Sequence, residues 1–75
     1  MARLPSVSGE RLVRALKRAG FQVLRQKGSH VSLERRVDDK VFRTIVPQHS
    51  TLAKGTLSDI LKQCGLTVEQ LLELL

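Results

Sequence analysis

Only two side chains in this 75-residue chain, His30 and His49, have an ordinary pKa close to neutrality. His30 closes the run Arg25-Gln26-Lys27-Gly28-Ser29-His30, so one imidazole directly follows a basic turn that contains a glycine. A histidine among Arg and Lys sits where a polyanion is drawn, and this combination points to chemistry on RNA. Cutting RNA without a metal needs a base for the 2′-hydroxyl proton and an acid for the leaving 5′-oxygen. Neutral imidazole can do the first and imidazolium the second. A neighbouring Lys or Arg stabilises the charge that builds on the phosphorane. The small Gly28-Ser29 pair keeps the approach open. His49 has three readings from the sequence: a second proton-transfer group, an RNA contact, or a loop residue without a role. Lys54-Gly55-Thr56 lies ahead of a helical pattern and offers a phosphate seat, from free amides plus a full charge. Two histidines without nearby acidic ligands make a poor metal site, so neither a metal nor a cofactor is expected.

Those residues need a small scaffold. The length suits one domain close to the lower limit for a core without staples. A single cysteine, Cys64, excludes an intramolecular disulfide and a Cys-based zinc site. No apolar run approaches the roughly 20 residues of a membrane span. The Met1–Gly9 stretch is too short and polar for a signal peptide, so a cytoplasmic setting without membrane contact is expected. Charge is lopsided. Residues 1–43 hold eleven basic and four acidic side chains, whereas residues 44–75 hold two and three. A basic half beside a nearly neutral one is the footprint of a nucleic-acid binder. With no Trp or Tyr, and with Phe21 and Phe42 both in apolar runs, recognition through stacked bases is disfavoured.

The pattern predicts α-β-β-β-α with a short extra helix. Ser8 caps a first helix to about Ala19, with Leu12, Ala15, Leu16 and Ala19 as its apolar stripe and Arg11, Arg14, Lys17 and Arg18 opposite. Gly20 stops it. Strands are expected over Phe21–Gln26, with Phe21 and Val23 on one face, then over His30 to about Val37, and over Val41–Val46. Alternation puts His30, Ser32 and Glu34 opposite Val31 and Leu33. The connections Lys27-Gly28-Ser29 and Asp38-Asp39-Lys40 are short enough for an antiparallel meander, with helices covering one face. Pro47 ends the third strand. Thr56 and Asp59 read as a capping box opening a second helix, with the stripe Leu57, Ile60, Leu61 and Cys64. Gly65 closes that helix, and Thr67 with Gln70 caps a terminal one. Its leucines, Leu71, Leu72, Leu74 and Leu75, either fold back onto the core or meet another chain.

Six stretches in order give the chain a family resemblance. They are Ser8-Gly9, Gly20-Phe21, Arg25 to His30, Val46-Pro47-Gln48-His49, Lys54-Gly55-Thr56-Leu57, and Ile60 to Gln63 with Gly65-Leu66. Together they resemble the HicA (YcfA-like) toxins of type II toxin–antitoxin systems, over nearly the whole of residues 1–75. The resemblance implies an α+β, double-stranded-RNA-binding-domain-like fold: a three-stranded antiparallel sheet with helices packed on one face. It also implies a metal-independent mRNA interferase, neutralised by a HicB-type antitoxin that blocks the active site. The catalytic histidine of the family's Gly-Ser-His element falls on His30. The second histidine that often follows it is Val31 here. RNA contacts are then expected from Arg25, Lys27, Gly28, Ser29, His49, Lys54 and Thr56. A non-catalytic double-stranded-RNA-binding module is the alternative, relying on Arg14 and Arg18 of the first helix. A structural subunit joined through Leu71–Leu75 leaves the basic half unexplained.

Overall fold

A computed structural model describes residues 3–75, so the first two residues of the Met1–Gly9 stretch lie outside the described part. The elements run α1 (Gly9–Arg18), β1 (Gln22–Lys27), β2 (His30–Val37), β3 (Lys40–Pro47), α2 (Lys54–Cys64) and α3 (Val68–Leu74). The sheet is antiparallel in the order β1-β2-β3. This is the expected double-stranded-RNA-binding-domain-like α+β arrangement.

Local chemistry explains most boundaries. The Ser8 hydroxyl accepts a 3.1 Å hydrogen bond from the Arg11 amide, satisfying one of the donors a helix start leaves free. Gly20, at φ +97°, takes the left-handed turn that ends α1. At α3 the capping box is complete: the Gln70 amide donates to Thr67 Oγ1 (3.1 Å), and the Thr67 amide donates to Gln70 Oε1 (2.8 Å). The start of α2 corrects the sequence-based expectation. Thr56 and Asp59 do not cap it; the helix begins three residues earlier than that cap implies, at Lys54, with Ala53 as an N-cap that offers no side-chain bond. Tertiary anchoring decides this start. Leu52 is almost wholly buried and its amide donates to the Val7 carbonyl, which fixes the chain just ahead of the first turn.

All three helices contribute to one side of the sheet. Leu12, Leu16, Leu33, Val46, Leu52, Leu57 and Leu71 are the largest of the fully buried side chains among the described residues. Each burial of this kind is worth about 1.5–3 kcal/mol. The terminal leucines fold back: Leu71 is fully buried, and Leu74 and Leu75 pack against the core, leaving Leu72 exposed. Arg18 fastens this end by donating from Nη1 to the Leu74 carbonyl at 2.7 Å. Both phenylalanines belong to this packing, Phe21 buried and Phe42 partly so. Cys64 is buried as well, and desolvation pushes its thiol from 9.0 to about 11, partly offset by the Thr44 hydroxyl beside it. Thr44, the one buried polar residue of this face, donates to Gln63 Oε1 at 2.7 Å.

One strand departs from simple alternation. Val23 pairs with Leu33 but Arg25 pairs with Ser32, so Leu24 is an extra residue, a β-bulge. Val23, ahead of the bulge and paired with Leu33, points to the covered side but lies on the edge strand, so it is 41% exposed and does not share the burial of Phe21.

Candidate functional site

The bulge in β1 determines what surrounds His30. With strict alternation, Arg25 and Lys27 would lie on the Val23 side, toward the core. The extra residue reverses the phase, so Arg25 faces outward beside Ser32 and Lys27 outward beside His30. On the other flank, β3 sets Pro47 against His30 and Ile45 against Ser32. Arg25, Lys27, His30, Ser32 and Ile45 line an open depression of about 340 Å³ on the face of the sheet that no helix covers. A larger depression of about 680 Å³ shares Arg25, Ser32 and Ile45 with it, takes in Leu24 and Arg43, and reaches Thr44 and Gln63 of the covered side.

The face is cationic. Arg25, Lys27, Arg36 and Arg43 share it with one carboxylate, Glu34, which receives Arg43 Nε at 3.0 Å and Arg36 Nη2 at 3.6 Å. Glu34 is thus answered twice over, and among the described residues neither Arg25 nor Lys27 has a carboxylate partner. His30 itself is exposed, and its neighbour Val31 points into the core. Among the described residues, no three His, Cys, Asp or Glu side chains cluster as a metal site would require.

The turn that carries His30 has two residues, Gly28 and Ser29, between the paired Lys27 and His30. Gly28 adopts φ +60°, and a Cβ there would meet nothing within 4 Å, so the turn stands clear on its outer side. Its inner side is held. The Gln48 amide donates to the Ser29 carbonyl at 2.6 Å, and the His49 carbonyl accepts from the Gly9 amide at 2.9 Å. The structure therefore brings the Pro47–His49 stretch against the Gly28–His30 turn. The exposed His49 side chain does not line the depression.

Lys54 and Thr56 stand apart from this group. The Lys54 ammonium donates to the Leu4 carbonyl (2.8 Å) and approaches Ser6 Oγ (3.5 Å), tying the N-terminal segment to the start of α2. Thr56 lies inside the first turn of α2, half-buried. Neither lines either depression. Ser32, which alternation places on the His30 face, does lie beside His30, whereas Ile45 and Arg43 join the group without any signal of their own in the sequence. The adjacent apolar pair Val23-Leu24, which interrupts the alternation of β1, is the signal that points to the bulge behind this grouping.

A family model described as HicA toxin of bacterial toxin-antitoxin matches residues 9–66, most of the chain and all of the elements that build this face. The chain belongs to the HicA toxin family. This makes it the toxin side of a toxin–antitoxin pair. No curated protein and no solved structure matches the chain. Among the described residues, no helix is long and apolar enough to cross a membrane.

Proposed function

We propose that this HicA-family toxin is a metal-independent endoribonuclease that cuts mRNA in the cytoplasm on the uncovered face of its sheet, with His30 as the proton-transfer group. The observation that carries the reading is the pairing of His30 with Lys27, next to Arg25, around an open depression. RNA phosphates would be held by Arg25 and Lys27, where the backbone can approach past the small Gly28-Ser29 turn. Neutral His30 takes the proton of a 2′-hydroxyl, and the resulting alkoxide attacks the adjacent phosphorus. The bond from phosphorus to the 5′-oxygen breaks, leaving a 2′,3′-cyclic phosphate and a 5′-hydroxyl. The leaving oxygen takes a proton from imidazolium or water, and Lys27 offsets the charge on the phosphorane. A HicB-type antitoxin would neutralise the toxin by covering this face.

The test uses purified protein and a labelled RNA in EDTA, wild type beside His30→Ala. Wild type should cut and His30→Ala should bind without cutting. Equal cleavage by both removes His30 from the chemistry.

A non-catalytic double-stranded-RNA-binding role is favoured by one separate observation, the exposed Arg11, Arg14 and Lys17 along α1. In that case Arg14→Ala would weaken duplex binding most and His30→Ala would leave it unchanged.

A further inference from the structure

The Pro47–His49 stretch takes part in the site through its main chain, and Gly9 is what lets it do so. Three bonds or contacts converge there. The Gln48 amide holds the Ser29 carbonyl, immediately before His30, and β3 pairs Pro47 with His30. From behind, the buried start of α1 presses on the same stretch, and the Gly9 amide donates to the His49 carbonyl. A Cβ at Gly9 would overlap the Pro47 carbonyl oxygen and stand 2.9 Å from the Gln48 Cα. That obstacle is backbone, so it cannot rotate aside. Any side chain at position 9 must push the strap outward, toward the turn.

We infer that Gly9 and the Gln48 amide are positioning residues for His30. The strap of residues 47–49, backed by the start of α1, holds the catalytic turn in place, and the His49 imidazole is not needed for this clamp. This rests on the reading of His30 as the proton-transfer group. Catalysis is sensitive to such placement, because a displacement of about 1 Å can cost about a hundredfold in rate. Binding of a flexible RNA to exposed cations is not, since long Arg and Lys side chains follow a small shift.

The experiment compares wild type, Gly9→Ala, His49→Ala and a chemically synthesised protein in which the Gln48 amide is replaced by an ester. The ester removes one N–H and leaves every side chain in place. Single-turnover cleavage and RNA affinity are measured on the same labelled RNA. Gly9→Ala and the ester should cut roughly ten- to a hundredfold more slowly, with affinity held within about twofold and the pH profile unmoved, while His49→Ala cuts at nearly the wild-type rate. If Gly9→Ala does not fold, the ester decides. A folded ester protein that cuts at the wild-type rate overturns the proposal. If wild type itself does not cut RNA, the proposed function fails, and the clamp is judged by ¹⁵N relaxation at the His30 amide. Loosening in the ester protein then supports the clamp; an unchanged order parameter overturns it.

Discussion

The two faces of the sheet carry different jobs on the same strand. On β2, His30, Ser32 and Glu34 look outward among Arg25, Lys27 and Arg43, while Val31 and Leu33 look inward onto three helices. The covered face holds one buried hydroxyl and one buried thiol, both accounted for within the core. The open face holds most of the sheet's charge and leaves Ile45 and Leu24 in water, at 56% and 53% exposure. A chain this short has little apolar surface to spare. Leaving a whole sheet face uncovered is therefore best explained by a function for that face. Substitutions on the two faces should dissociate: inward ones lower stability and spare chemistry, outward ones do the reverse.

The largest stability effect is expected from Leu33→Ala, a fully buried residue of the central strand. It should cost about 2–5 kcal/mol in chemical denaturation, while the folded fraction still cuts RNA. A loss of cleavage in fully folded Leu33→Ala would blur the separation of the faces. Next comes the buried thiol. Cys64 has its folded pKa raised above the unfolded value, so its neutral form favours the folded state and that contribution is complete below pH 9. As pH rises from 9.0 to about 11, the unfolded chain loses its proton first, and on the order of 3 kcal/mol is lost at most. Wild type should therefore lose more stability over that window than Cys64→Ala, measured as denaturation midpoints at each pH. Equal slopes would mean that water reaches the thiol.

On the open side the effects are smaller in stability and larger in binding. Gly28→Ala places a side chain at φ +60° and should cost about 1 kcal/mol, read from the melting temperature. Lys27→Ala should leave melting unchanged and reduce the salt dependence of RNA binding by about one phosphate contact, a slope change near 0.7 for a single strand. Lys40→Ala, at the opposite end of the same sheet, should leave that slope alone.

Much of this contrast is legible in the sequence. The stripes of α1 and α2, the Ser8 cap, the Thr67–Gln70 box and the stops at Gly20 and Gly65 depend on neighbours within a few residues, and all appear as expected. So do the two short hairpin turns and the opposite orientations of His30 and Val31. What escapes is whatever depends on distant partners. The bulge at Leu24 depends on register against β2, and a one-residue slip exchanges the faces of Arg25 and Lys27. The start of α2 depends on Leu52 reaching Val7, and Lys54 on a carbonyl fifty residues earlier. The Gly-Ser-His turn, and Ser32 on its face, could be found by reading; Ile45 and Arg43 could not, because cross-strand pairing assigns them.

The most direct test uses the adjacent pair His30 and Val31. Single-turnover RNA cleavage in EDTA and thermal melting are measured for His30→Ala and Val31→Ala. His30→Ala should melt like wild type and cut roughly 10²–10⁴-fold more slowly. Val31→Ala should melt at lower temperature and still cut. A folded His30→Ala protein that cuts RNA as fast as wild type would contradict the account.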